Sequence, residues 1–164
     1  MAEDRIIDEI DGSILAILQY NARTTQAELA KAVGLVPSAV LERLRKLEAK
    51  GVIRDYVALV DPRVFDRGLL AFVAVRTSEH GPDMPSAVAL SEIPEVLEVH
   101  HVAGDDCYLL KVRARDAEHL GQLLRQQISA QPGVTSTRTT IVLETIKDDP
   151  RIAIPKDRML KALS

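Results

Sequence analysis

The chain has 164 residues, 46% of them hydrophobic, with a net charge of −3 at pH 7; that length suits one medium domain or two small ones with a real core. The slight acidity excludes a protein that binds nucleic acid through its overall field, so any such affinity has to come from local clusters. Aromatic residues make up 3% with no tryptophan, which argues against RNA recognition by base stacking, and the single cysteine, Cys107, excludes an internal disulfide or a cysteine-based zinc cluster.

The opening MAEDRIIDEI is acidic rather than basic and then apolar, so no secretion signal is expected in it. No apolar run approaches the roughly 20 residues of a membrane span, so no membrane association is expected and the cytoplasm is the expected location. Ile6, Ile10, Ile14 and Leu18, with Ile17 alongside, recur at helical spacing and predict a first helix from about Asp8 to Tyr20. Thr25 and Glu28 form a Thr-x-x-Glu capping box that opens a second helix, with Ala27, Ala30 and Val33 expected on its inner side. Gly34 supplies the left-handed residue that ends it, and Leu35 covers the corner. Pro37 suits the first position of a third helix, where its missing N–H would have been unpaired anyway.

Val40, Leu44 and Leu47 stand at i, i+4 and i+7 and make one inward stripe on that third helix. The opposite side carries Ser38, Glu42, Arg45 and Lys46, with Arg43 and Lys50 on the flank. From Arg43 to Arg54 five basic residues face only Glu48. A cationic outer face alone is more often simply solvated. Joined to the capping box, the glycine turn and the proline start, it predicts a helix-turn-helix whose second helix enters the major groove of double-stranded DNA. The expected contacts are Thr25, Gln26, Pro37, Ser38, Ala39, Glu42, Arg43, Arg45 and Lys46. Arg and Lys would neutralise phosphates, while short Ser38 and Ala39 let the backbone approach base edges.

After Gly51 the run VIRDYVALV (52–60) predicts a strand, giving a winged or strand-extended helix-turn-helix. The stretch 61–68, DPRVFDRG, carries Pro, Gly and four charges and marks a boundary. The expected division is a DNA-binding domain over 1–60, a linker over 61–68, a second domain over 69–147 and a polar tail over 148–164. Within the tail, PKDRMLKAL is expected to form a closing helical turn or two.

The second domain has another rhythm. Strands are predicted at 69–76, 96–103, 107–114 and 134–146, with helices at 82–93 and 116–129. Asp116 is the expected N-cap of the latter, and Leu120, Leu123, Leu124 and Ile128 its inner face. The order βαββαβ gives an α+β, ferredoxin-like fold. Ile93-Pro94-Glu95-Val96 and Gln131-Pro132-Gly133-Val134 both lead a helix into a strand, as two similar halves would require.

Gly104-Asp105-Asp106 is tight-hairpin chemistry. It also offers exposed amides and two carboxylates, and the Thr135–Thr140 ladder with Arg138 offers hydroxyls and a carboxylate partner. The candidate effector site is therefore Gly104, Asp105, Asp106, Cys107, Tyr108, Thr135, Thr137, Arg138 and Thr139. From the residues alone, ordinary hairpin and strand chemistry explains them equally well. His100 and His101 point to opposite faces of a strand and do not share a metal. His119 reads as solvated and Cys107 as a small buried residue. No phosphate loop, nucleophile elbow or zinc-protease motif occurs, so no catalytic activity, cofactor or metal is expected.

Taken in order, these residues resemble the Lrp/AsnC family of leucine-responsive, feast/famine transcription regulators. Ile10-Asp11 with Ile14-Leu15 and Leu18 resembles the family's opening helix. Glu28-Leu29-Ala30, Val33-Gly34-Leu35, the run from Glu42 to Glu48 and Gly51-Val52-Ile53 resemble its DNA-binding unit. Gly104-Asp105 with Tyr108-Leu109-Leu110, then Pro132-Gly133-Val134 with Thr137 and Thr139, resemble its sensing domain. The likeness covers residues 5 to 147. It implies a nucleoid-associated regulator, a homodimer that assembles to a tetramer or octamer, with an amino acid bound where sensing domains meet. It also favours a pocket at the Gly104 loop. The remaining alternatives are an architectural DNA-compacting protein without effector and an amino-acid-binding regulatory subunit of a metabolic enzyme. Two departures stand out: Val36 where the family commonly has a capping Ser, a role Ser38 is expected to take over, and Asp106-Cys107 where it commonly has an aromatic residue and Asp.

Overall fold

Asp8 opens the first helix, α1 (Glu9–Tyr20), by accepting the Asp11 N–H at 2.8 Å while the Asp11 carboxylate reaches back to the Asp8 N–H, a reciprocal capping box. The structure, a computed structural model, describes residues 7–78 and 85–163; Ile6 of the expected first stripe lies outside them. Thr25 caps α2 (Gln26–Val33), and Gly34 ends it at φ 71°, where a side chain would be strained. The Leu35 N–H then closes the corner on the Ala30 carbonyl at 2.9 Å. Pro37 is the first residue of α3 (Pro37–Ala49).

Ile14, Leu29, Ala30, Val33, Val40 and Leu44 bury together as the core of this three-helix unit. The inner stripe of α2 differs from expectation: Ala27 is exposed and Leu29 is buried, because the periodicity runs 29, 30, 33. Residues 52–60 form no strand. A strand exists only against a partner, and among the described residues none lies beside this segment, so Tyr56, Val57 and Leu59 stay exposed.

Contacts divide the described residues into 7–59 with 148–163, and those between 60 and 147. The polar segment after Lys147 therefore belongs with the helices. It runs extended into a 3₁₀ turn at Lys156–Arg158, and Leu160 packs against the helical core.

In the other unit, residues 62–65 of the expected linker fold into a 3₁₀ turn capped by Asp61. Strands β1 (Leu69–Thr77), β2 (Val96–His101), β3 (Tyr108–Ala114) and β4 (Val134–Ile141) form one antiparallel sheet in the order β2-β3-β1-β4. With α4 (Pro85–Ser91) and α5 (Ala117–Leu123) this is the βαββαβ arrangement; residues 82–84 of the expected fourth helix lie outside the described residues. Ala71, Val73, Val75, Leu110 and Val112 face α4's Leu90 and α5's Leu120 and Leu123 in the second core.

Asp116 caps α5 by accepting the His119 N–H at 2.7 Å. Its last turn widens into a π-turn at Leu124–Ile128, which keeps Ile128 buried. The two turns that lead helices into strands match: Val96 N–H donates to the Ile93 carbonyl at 2.9 Å, Val134 N–H to the Gln131 carbonyl at 3.2 Å. β4 stops at Ile141 rather than 146, because its partner β1 begins at Leu69 and leaves Leu143 and Ile146 nothing to pair with.

Candidate nucleic-acid interface and ligand loop

The outer side of α3 presents Pro37, Ser38, Glu42, Arg45 and Lys46 to solvent, with Ala39 half-buried. Thr25 and Gln26 at the start of α2 are exposed too. The Glu28 carboxylate accepts the Thr25 N–H at 2.7 Å and its hydroxyl at 2.8 Å, and those two bonds hold its pKa below the ordinary value. α2's entry is thereby fixed. α3 starts differently: Val36 occupies the N-cap position with extended backbone and no side-chain hydrogen bond, and Ser38 lies inside the first turn rather than capping it. The Pro37 ring pre-sets the backbone, so the helix starts at the proline and not one residue later.

The basic residues of α3 are not equivalent. Lys46 pairs with Glu42 one turn before it at 2.7 Å, an exposed bridge that competes little with a phosphate. The Arg43 guanidinium turns inward and donates to Asp8 Oδ2 and Asp11 Oδ1, both at 2.7 Å. Both carboxylates raise its pKa. Arg43 therefore fastens α3 to the capping box of α1; a sequence reading could not see partners 32 and 35 residues away. Arg45 lies outside these bridges and is exposed, so its charge is open to a phosphate. Arg45→Ala should weaken DNA binding and lower the slope of log affinity against log salt by about 1. An unchanged slope in a salt titration would remove Arg45 from the interface.

Behind α3, the Tyr56 hydroxyl donates to Glu48 Oε1 at 3.0 Å. Partial burial and the neighbouring carboxylate push the phenol up to about 12, so it stays a donor at neutral pH.

In the sheet unit, the residues after β2 turn back through Gly104-Asp105-Asp106, and arginines hold that loop down. Arg76 Nε donates to the Asp105 carbonyl at 2.9 Å, and Arg138 Nη2 reaches Asp106 Oδ2 at 2.7 Å. Arg76 Nη2 lies 3.9 Å from the other Asp106 oxygen. The Cys107 N–H donates to the Val75 carbonyl at 2.9 Å, and its sulfur accepts the Thr77 N–H at 3.4 Å; the Thr77 side chain first, and then that N–H, lower the thiol pKa. Cys107 is half-buried, not the fully buried residue expected.

The expected effector residues do not all converge. On β4, Thr137 and Thr139 pair with Val75 and Val73 and share the helix-covered face, whereas Arg138 pairs with Ala74 on the open one. Strand side chains alternate, so the threonines and Arg138 cannot line a single pocket within one chain. The Thr135 hydroxyl donates to the Arg76 carbonyl at 3.1 Å. Tyr108 is 4% exposed and belongs to the core beside His101, with ring centroids 5.5 Å apart, so it is a packing residue. Arg76, absent from the expected set, sits at the centre of the loop's contacts.

His100 bonds to Glu98 and lies on the face opposite His101. His119 is half-buried rather than solvated, accepting the Arg115 N–H through Nδ1 at 3.2 Å. Among the described residues no group of three or more His, Cys, Asp or Glu is placed to hold a metal, and no helix is long and apolar enough to cross a membrane.

Known proteins of the same build match the chain over nine-tenths of its length or more. The family profile described as winged helix-turn-helix DNA-binding fits residues 7–54, and the Lrp/AsnC ligand binding domain fits residues 70–152. The leucine-responsive regulatory protein of Escherichia coli K12 is 40% identical over 150 residues, spanning 90% of this chain and 92% of that protein. A transcriptional regulator of Neisseria meningitidis, solved with L-Met, superposes with a TM-score of 0.83 at 32% identity over 94% of this chain and all of that one. The feast or famine regulatory protein of M. tuberculosis, solved with L-methionine, gives 0.84 at 36% identity over 92% of this chain and all of that one. With a capped helix-turn-helix in one unit and the βαββαβ ligand-binding fold in the other, the chain belongs to the Lrp/AsnC family of DNA-binding transcription regulators.

Proposed function

We propose that this regulator senses a free α-amino acid through the Gly104–Cys107 loop. The observation that carries the reading is the fastening of Asp106 between Arg76 and Arg138: a carboxylate with two guanidiniums is the charge set that an amino acid's ammonium and carboxylate would engage. The methionine-bound relatives support the amino-acid class. The regulator acts by binding and not by catalysis, and its DNA contacts are Ser38, Ala39, Arg45 and Lys46 on α3, with Thr25 and Gln26 at the start of α2.

It works as a homodimer that associates further, in the cytoplasm at the nucleoid. Exposed Tyr56, Val57 and Leu59 in the unpaired segment support self-association, since apolar residues at an unpaired edge invite a second strand. An effector that favours one arrangement of the assembly shifts the spacing of its reading helices. Thermal unfolding with L-leucine and L-methionine tests the site. One of them should raise the melting temperature of the wild type, and Asp106→Ala or Arg138→Ala should abolish the shift while leaving the ligand-free transition in place. A full shift in both variants rules the loop out.

A further inference from the structure

The helical unit is built from both ends of the described chain, so two covalent crossings join it to the sheet unit, at residues 59–60 and at 147–148. Along α1, four residues are shaped for the segment that returns after Lys147. A methyl group at Gly12 would overlap the Arg158 carbonyl, so only glycine admits the segment. A glycine inside a helix is unfavourable relative to alanine, and this close approach is what it serves. Ser13 is fully buried, its hydroxyl donating to the Glu9 carbonyl at 2.7 Å and accepting the Leu160 N–H at 2.8 Å.

At the other end of α1, the Gln19 amide grips the main chain of Ile152 both ways: its Nε2 donates to the carbonyl at 2.9 Å and its Oε1 accepts the N–H at 2.7 Å. The Arg151 guanidinium lies 4.3 Å over the Tyr20 ring. Leu160 is the apolar anchor, whereas the Ile152 side chain is 73% exposed. The seat is thus specific but small: two main-chain hydrogen bonds at Gln19 near solvent, one at buried Ser13, one ring contact and one leucine.

We propose that residues 148–163 are a strap that holds the reading head at a second point, and that its seat on α1 fixes the rotational phase between the two heads of a dimer on DNA. The strap continues from β4, the strand whose Arg138 clasps Asp106 of the ligand loop, so movement at that loop reaches the head through the strap. The setting of phase rests on the homodimer reading above, and the last step also on the effector reading.

The test uses the full chain with Gly12→Ala, which favours the helix but evicts the strap, beside a chain ended at Lys147. Trypsin cleavage after Lys156 and Arg158 should accelerate several-fold in Gly12→Ala; an unchanged rate would show that the seat is not closed by glycine and end the proposal. Binding is then measured to the protein's own footprinted site and to the same site with about five base pairs, half a helical turn, inserted at its centre. The wild type should pay a penalty of about tenfold for the insertion, and both strapless forms a penalty within about twofold, since a head held once can swing to either phase. An equal penalty in wild type and both variants, or none in the wild type, overturns the strap. With L-leucine or L-methionine present, any change in the wild-type penalty should vanish in the variants. Failure of both amino acids to shift wild-type unfolding sinks the effector reading alone, and the insertion penalty still decides the strap.

Discussion

Ile14→Ala should unfold the helical unit while the sheet unit keeps its own transition. Ile14 has no exposed surface and sits mid-α1 among Leu29, Val33, Val40 and Leu44. Removing three carbons from such a site costs about 2–5 kcal/mol, the upper part arising from the cavity left behind. A unit this small holds only about 3–5 kcal/mol in its core, so the loss consumes most of it. The sheet unit has a separate core around Val73, Leu110 and Val112 and shares no side chain with this one. Two-transition melting followed by circular dichroism would show the first step shifted down by at least about 8 °C and the second unmoved. A shift under about 4 °C would mean that neighbours collapse into the space. DNA binding should fall with the first transition and ligand binding should survive.

Arg43→Ala should weaken DNA binding by about three- to tenfold with no change in salt slope, the reverse of the signature expected for Arg45. The guanidinium touches two carboxylates of α1, so its loss frees α3 to tilt without removing a phosphate contact. The stability cost is about 1–2 kcal/mol. Most of it comes from Asp11, whose side chain is 16% exposed, since the Asp8 arm at 51% is screened by water. A pH titration gives a second check. Partial burial pushes the Asp8 carboxyl up, but the Asp11 N–H and the Arg43 guanidinium outweigh it and hold it below 3.8. A lowered carboxyl stabilises the fold above its unfolded value, and that contribution is lost as the pH falls through the folded one. The wild-type helical unit should therefore lose more stability than Arg43→Ala between about pH 5 and 3. Parallel acid curves would assign Arg43 no part in the cap.

What the sequence discloses is what neighbouring residues decide. Thr25 with Glu28, and Gly34 with Pro37, mark helix ends because their partners lie within one turn. The apolar runs of β1 and β3 mark central strands because both of those strands are paired on either side. Legibility fails where the partner is far away. Residues 52–60 have strand composition but no ladder, and Arg43 has the look of an outer cation but has Asp8 and Asp11 beneath it. At β4 the side-chain alternation was visible in the sequence, and it separates Arg138 from Thr137 and Thr139 before any pairing is known. Gly12 carries a plain mark: glycine inside a strongly periodic helix signals something pressed against it, here the Arg158 carbonyl. Arg76 carried no local mark at all, since only the folded hairpin brings Asp105 and Asp106 to it.

Val36 has a consequence beyond register. Its backbone, at φ −86° and ψ 151°, already has the conformation that a capping serine or aspartate adopts. A side-chain oxygen there would complete the first turn without moving the chain, worth about 1 kcal/mol, or roughly 4–8 °C in a unit of this size. The helical unit thus sits below its own stability ceiling by the width of one side chain. Anyone hardening this protein for use as a biosensor would find the margin at Val36 and not in an already filled core.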